Sequence, residues 1–296
     1  MAADVETSRA KLGAEPNYAW QWPDERDVIA DLLLDPGGHP IIGHRGASGL
    51  APENTLAAFD LARSVGADGF EFDIRLTADG IPVVVHDATL DRTTDGTGPV
   101  AALTWSELQR FDAGARFTRD GISFPFRGQG IRIPTLAEVL ARYPEIPMLV
   151  ELKLVAAGGP VREVLLAAKA PDRVVIASFQ PAAVDPFREP PFLPGASRRE
   201  IADLAIRSWL GFPPVDRGVR LYSVPDRYRG WIPVPTRRFV RNAKTLGRPV
   251  HVWTVNDVPT AEGLWSIGCA GMITNFPGLL REARDRLKAR HRSADT

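Results

Sequence analysis

The chain has 296 residues, 44% hydrophobic and 24% charged, with 36 basic residues balanced by 36 acidic ones. Such a composition excludes a disordered polymer and fits one large α/β domain or two small ones. Zero net charge argues against a non-specific nucleic-acid binder, no run reaches the ~20 apolar residues of a membrane-crossing helix, and the single cysteine, Cys269, excludes an intrachain disulfide.

Residues 1–20 read as a loosely attached polar arm. It lacks the basic start and apolar middle of a signal peptide, so a cytoplasmic location is the expectation. Asp24 and the apolar positions Val28, Ile29, Leu32 and Leu33 predict a short helix over 24–34, stopped by Pro36-Gly37-Gly38. From Pro40 the pattern alternates β and α. The first strand is expected over 40–44 and a helix over 54–65. The second strand follows over 69–75, and the third over 82–86 comes after the turn Ala78-Asp79-Gly80. Residues 87–133, rich in Gly, Thr and aromatic residues, interrupt the rhythm and read as an insertion with one short helix over 105–110. A helix over 135–142 leads to a fourth strand over 148–154 and a fifth over 173–178. The proline-rich stretch 181–218 has one helix, over 198–210. The last three strands are expected over 219–224, 249–254 and 271–274, with Cys269 a small buried residue beside the last. Eight strands with mostly helical crossovers predict a (β/α)₈ barrel. An open doubly wound sheet would want a glycine-rich phosphate loop after its first strand, and Gly43-His44-Arg45-Gly46 has the wrong spacing for one.

Several of these apolar strands end abruptly in charge: His44-Arg45, Glu71 and Asp73, His86-Asp87, and Glu151 with Lys153. A charge there is costly unless a site uses it, and the C-terminal rim is where a barrel builds its site. Glu71 and Asp73 are two residues apart on one strand and share a face, so Phe72 and Ile74 turn toward the helices. Glu151 converges from another strand. Three carboxylates suit a hard, oxygen-seeking cation, Mg²⁺ or Ca²⁺; a carboxylate–lysine network without a metal is the plainer alternative. His44 and His86 end the strands expected on either side of the carboxylate strand, roughly 10 Å apart, and form a candidate acid–base pair across a phosphate. Arg45 offers a fork for phosphoryl oxygens. Lys153 could neutralise another oxygen or pair with Glu151. Glu53 could orient Arg45, complete the metal shell, or favour a helix N-terminus. Trp253 and Gln180 are candidate substrate contacts, Trp253 being equally suited to a packed core.

In order along the chain, Gly43-His44-Arg45-Gly46, Ala51-Pro52-Glu53-Asn54-Thr55, Glu71-Phe72-Asp73, Val85-His86-Asp87, Leu90-Asp91-Arg92-Thr93-Thr94-Asp95-Gly96, Ile133-Pro134-Thr135-Leu136, Glu151-Leu152-Lys153 and Val252-Trp253-Thr254-Val255-Asn256 resemble the glycerophosphodiester phosphodiesterase family. The resemblance spans about residues 40–280. It implies a TIM barrel over 39–296 with a small insertion after strand three (about 87–133), preceded by an arm and short helix over 1–38. It also implies metal-dependent hydrolysis of glycerophosphodiesters to an alcohol and glycerol 3-phosphate. On that reading His44 and His86 are the acid–base pair and Glu71, Asp73 and Glu151 the ligands of Mg²⁺ or Ca²⁺. Arg45 and Lys153 contact phosphate, and Glu53 supports them. The resemblance departs at Asn275 and Phe276, where an acidic residue followed by a basic one is common, and over 181–248, so no head-group preference carries over. The expected partner is a small glycerophosphodiester, with no nucleic acid and no stably inserted membrane segment; nothing sets the oligomeric state. Two rival readings remain. Related barrels act on lysophospholipids or sphingolipids, in a lysophospholipase D-like or sphingomyelinase D-like way, some by forming a cyclic phosphate. For that reading Trp209, Phe212, Trp231 and Ile232 would build an apolar rim. The other rival is a non-catalytic phosphoester-binding barrel.

Overall fold

The structure, a computed structural model, describes residues 30–294; the expected arm and most of the expected helix over 24–34 lie outside the described residues. The described chain runs α1 (Asp31–Leu34), β1 (Ile41–His44), α2 (Leu56–Ser64), β2 (Gly69–Leu76) and β3 (Pro82–Val84). After α3 (Trp105–Leu108) come α4 (Leu136–Arg142), β4 (Met148–Leu152), α5 (Gly158–Ala167), β5 (Val174–Ala177), α6 (Pro181–Val184) and β6 (Leu193–Pro194). Then follow α7 (Arg198–Leu210), β7 (Tyr222–Pro225), a hairpin of β8 (Arg227–Tyr228) and β9 (Ile232–Pro233), α8 (Arg237–Thr245), β10 (Val250–Trp253), α9 (Val258–Ser266), β11 (Met272–Thr274) and α10 (Pro277–Ala294). Helix starts are marked locally. Thr55 and Asp257 cap α2 and α9, while Thr135 with Glu138 and Ser197 with Glu200 close reciprocal capping boxes on α4 and α7.

Eight parallel strands form the wall in the order β6-β5-β4-β2-β1-β11-β10-β7. The two ends meet through backbone bonds, Arg220 N–H to Pro194 O at 2.7 Å and Ala196 N–H to Leu221 O at 2.9 Å, which close the sheet into an α/β TIM barrel. The expected strand count holds, with one change of membership. β3 pairs antiparallel with β2 and is not a wall strand, whereas β6, hidden among prolines, is. The physical reason is the short turn at Ala78–Gly80: a few residues can reverse a chain, but a parallel return needs a long crossover. Backbone bonds also place β3. Arg45 N–H bonds Glu71 O and Val85 N–H bonds Asp73 O, while Lys153 N–H bonds Ile74 O. Successive carbonyls of a strand point to opposite edges, so Glu71 O and Asp73 O share one edge and β3 continues along the edge of β2 that β1 uses lower down. Strand two therefore does not separate the two histidine-bearing strands, as the sequence suggested.

Phe72 and Ile74 do face the helices. They pack with Phe59, Phe70, Leu136, Val139 and Tyr143 in the largest apolar cluster. Inside the barrel Ile42, Leu149, Val175, Leu193, Leu221 and Ile273 form a second cluster, stopped at the bottom by Leu33 of α1 and Ala30 just before it. Gly69 admits that plug, because a Cβ there would lie 3.1 Å from Leu33 Cδ2. His251, on β10, locks the plug in place. Its Nε2–H donates to Leu33 O at 2.8 Å, and its Nδ1 accepts from Gly271 N–H at 2.9 Å. Cys269 is buried, as expected.

Complete burial lowers the His251 pKa to about 4. The unfolded chain therefore binds the extra proton between about pH 6.5 and pH 4 while the folded chain does not. The resulting stabilisation is whole above pH 6.5, shrinks as pH falls, and is gone near pH 4. We expect urea melts to show a loss of about 3 kcal/mol over that interval from this residue. His251→Gln should start less stable and lack that component; an unchanged pH slope in the variant would contradict the assignment.

Candidate active site

Register brings the charged strand ends together. His44 pairs laterally with Glu71, and Asp73 with Glu151. In a parallel sheet such partners face the same side, about 4.8 Å apart. Carboxylate oxygens of Glu71, Asp73 and Glu151 all lie within 4.8 Å of one another. Lys153 Nζ sits 2.8 Å from Asp73 Oδ1 and 2.9 Å from Glu151 Oε1, and Arg45 Nε is 3.1 Å from Asp73 Oδ2. Asn54 Nδ2–H donates to the same Oδ2 at 3.0 Å. Behind β1 the chain takes two left-handed residues, Arg45 (φ 55°) and Gly46 (φ 82°). A Cβ at Gly46 would lie 2.6 Å from the Ala58 carbonyl carbon, so this turn needs glycine where it does to swing Arg45 over the carboxylates.

These groups wall one side of a cavity of ≈ 170 Å³ at the C-terminal mouth of the barrel: His44, Arg45, Glu71, Asp73, His86, Glu151 and Lys153. Phe179, Arg198, Ser223 and Trp253 line the other side. Trp253 stacks edge-on against Phe179, with ring centroids 5.9 Å apart. Of the residues singled out from the sequence, Glu53 and Gln180 are not in the lining. Glu53 stands behind Arg45, accepting from its Nη1–H at 2.8 Å. Gln180 does not contact the cavity; its side-chain amide donates to Lys153 O at 3.1 Å, steadying the loop. Trp209, Phe212, Trp231 and Ile232 do not gather into one apolar rim. Arg198, the first residue of α7, lines the mouth, and Trp209 lies near the other end of this 13-residue helix, about 17 Å away along its axis. Trp231 and Ile232 lie instead on the β8–β9 hairpin that follows β7.

Each histidine is held through Nδ1. His44 Nδ1 lies 2.6 Å from Asn275 Oδ1, which also accepts from the Ser48 hydroxyl at 2.9 Å. His86 Nδ1 lies 2.7 Å from Asp87 Oδ1. Both acceptors require the proton on Nδ1, so Nε2 is the free nitrogen of each neutral ring. Asn275, set aside as a departure from the family pattern, is thus a site residue that no spacing argument revealed. Asp87, next to His86 in sequence, and Arg92, within Leu90–Gly96, are further site residues to which the sequence assigns no role; Arg92 binds both Asp87 and Glu53.

Electrostatics fit a cation. Burial, then the neighbouring Asp73 and Glu151 charges, push the Glu71 carboxyl well above its ordinary range. Burial also raises Glu151, with Lys153 opposing. Burial would raise Asp73 too, but Lys153 and Arg45 overcome it and hold it low. Burial and the Arg45 guanidinium hold His44 below the usual imidazole range, against the pull of Asn275. At the cluster itself three carboxylates (Glu71, Asp73, Glu151) meet two cations in direct ion pairs (Arg45, Lys153), a shortfall of one positive charge. Asp73 Oδ1 and Arg45 Nε make no aligned hydrogen bond despite their short ion-pair distances. The all-oxygen donor set, the charge shortfall and the unaligned Asp73 oxygen all suit a divalent metal held by Glu71, Asp73 and Glu151.

The glycerophosphoryl diester phosphodiesterase family model matches residues 44–189 and 206–279. A glycerophosphodiester phosphodiesterase of Caldanaerobacter subterraneus subsp. tengcongensis is 34% identical over 256 residues, covering 81% of this chain and 95% of its own. Among solved structures, the glycerophosphoryl diester phosphodiesterase domain of a Mycobacterium tuberculosis protein superposes with a TM-score of 0.74 at 24% identity, covering 83% of this chain and 99% of that one. An Oleispira antarctica phosphodiesterase, solved in complex with its product sn-glycerol-3-phosphate, matches with a TM-score of 0.65 at 28% identity, covering 83% and 96%.

Calorimetric titration should find one divalent-cation site per chain. Glu71→Gln, Asp73→Asn and Glu151→Gln should each weaken it at least about tenfold, since each removes one of three charged donors. Undiminished affinity in all three variants would place the cation elsewhere.

Proposed function

This chain belongs to the glycerophosphoryl diester phosphodiesterase family, and from that premise we propose that it hydrolyses glycerophosphodiesters to glycerol 3-phosphate and an alcohol at the cavity described above. The observation that carries the reading is the convergence of two Nδ1-anchored imidazoles on a three-carboxylate cluster in one cavity. The Oleispira antarctica relative, holding that product, supports the substrate class.

Arg45 and Lys153 hold the phosphodiester oxygens, with Glu53 keeping the Arg45 fork aimed into the cavity. Glu71, Asp73 and Glu151 would hold Mg²⁺ or Ca²⁺, which would supply positive charge to offset that of the phosphodiester. The two histidines differ in what stands behind them, and we base their proposed roles on that difference. Behind His44 is a neutral amide; burial and Arg45 favour the uncharged ring, whose Nε2 can take the proton from the attacking oxygen, either water or the neighbouring glycerol hydroxyl. Behind His86 is the carboxylate of Asp87, which holds the ring in place, and His86 takes the other role, giving its Nε2 proton to the departing alkoxide. Phe179 and Trp253 offer an apolar wall to the organic part of the substrate, and Arg198 and Ser223 offer it polar contacts. Among the described residues no helix is long and apolar enough to cross a membrane.

Incubating the protein with glycerophosphocholine and Mg²⁺ or Ca²⁺ should release glycerol 3-phosphate, and a chelator should stop it. His44→Ala and His86→Ala should each lower turnover by about 10²-fold or more while leaving the fold intact. Near-normal rates in both folded variants would remove the mechanism. Phosphorus NMR adds a separate check: a cyclic phosphate as the final product would favour the transphosphorylating alternative.

A further inference from the structure

The insertion over 87–133 leaves the barrel immediately after His86, and it is more than a decorative loop. Its own apolar cluster (Leu90, Val100, Leu108, Ala113 and Ile133 with Val83 and Val85) packs it onto β3. Residues 88–100 fold back on themselves through Leu90 N–H to Gly98 O and Val100 N–H to Ala88 O, at 3.0 and 2.9 Å. Leu90 and Thr94 are fully buried, and Thr94 is tied back to Leu90 O through both its backbone N–H and its hydroxyl. Between these two anchors sits Arg92. Its Nε–H donates to Asp87 Oδ2 at 2.5 Å, and its Nη1 and Nη2 groups grip both Glu53 oxygens at 2.6 and 2.7 Å. Asp87 in turn orients His86, and Glu53 orients Arg45.

One guanidinium thus ties the loop after β1 to the loop after β3 and holds, at second hand, two groups with different tasks. A lysine could not do this, because only a planar fork addresses one carboxylate bidentately while donating Nε–H to another. Without Arg92, Asp87 and Glu53 would lose their common partner. Asp87 would be free to swing, and with it the His86 ring; Glu53 would keep only Arg45. We propose that Arg92 is a positioning residue for both ends of the reaction, setting the proton-donating imidazole of His86 through Asp87 and the phosphate-gripping guanidinium of Arg45 through Glu53, and that presenting it is the task of the insertion. This rests on the proposed reading of the cavity only for the roles of His86 and Arg45.

The test uses leaving-group dependence, which a merely structural role would not move. Wild type, Arg92→Ala, Arg92→Lys and His86→Ala are compared on glycerophosphocholine, whose alkoxide needs a proton to depart, and on glycerol p-nitrophenyl phosphate, whose phenolate does not. With the choline ester Arg92→Ala should lose about 10²-fold in kcat, the scale on which misplacing a reacting group acts. With the nitrophenyl ester its kcat should fall no more than about fivefold, and its KM should rise for both esters as Arg45 loosens. Arg92→Lys should fall between wild type and Arg92→Ala on the choline ester. Arg92→Ala must follow His86→Ala substrate by substrate. A folded Arg92→Ala enzyme that is near wild type on the choline ester, or that loses equally on both esters while His86→Ala discriminates, overturns the proposal. If His86→Ala itself loses equally on both, the acid assignment of His86 falls. Arg92 is then judged by whether its variants match that new profile, and a mismatch overturns it.

Discussion

Two buried carboxylates, Glu71 and Asp73, and the half-buried Glu151 share one corner of the barrel mouth, and most of the local architecture can be read as a response to that. Like charges this close and this dry are mutually destabilising. Lys153 and Arg45 offset part of the cost and leave Asp73 ionised, but Glu71 and Glu151 are still pushed toward their protonated forms. A corner so arranged is short of positive charge by design of its sequence. A divalent cation and a phosphodiester together bring the missing charge and the group that the remaining cations grip. The strained left-handed Arg45, the glycine behind it and the Asn54 amide on Asp73 are the backbone and side-chain means by which this one corner is held open toward its ligand.

The barrel supplies the corner in a particular way. Parallel register places His44 beside Glu71 and Asp73 beside Glu151, so neighbouring strands present their groups at one height. Below them the interior is apolar and closed by Leu33, pinned by the neutral His251. The contrast between the histidines follows from burial and partner rather than from residue type. His251 is a floor bolt with both nitrogens occupied. His44 and His86 each spend one nitrogen on an anchor and keep the other for the cavity.

Much of this was legible in the sequence because it follows from period. Apolar runs ending in charge marked the site-bearing segments β1, β2, β3 and β4, three of them wall strands, and the two-residue spacing of Glu71 and Asp73 put both carboxylates on the inner face with Phe72 and Ile74 outside. What was missed depended on long-range geometry. A two-residue strand such as Leu193–Pro194 carries no periodic signal, so β6 went unseen among prolines, and β3 took its place in the count. The turn at Ala78–Gly80 held the information that β3 must be antiparallel, and that signal was available. Asn275 meets His44 across 231 residues, a contact no local pattern encodes. Gln180 stood near the right strand end but turns its amide to the Lys153 carbonyl, one bond away from the cavity its neighbour Phe179 lines.

The central claim is that one cation sits among Glu71, Asp73 and Glu151 with both free imidazole nitrogens facing the same cavity. Paramagnetic NMR tests it directly: Mn²⁺ is titrated into protein with labelled histidine rings. The account predicts that a single equivalent broadens the His44 and His86 ring signals strongly and together, while His251 on the barrel floor is much less affected. Broadening of only one of the two, or of His251 as much as either, would contradict it.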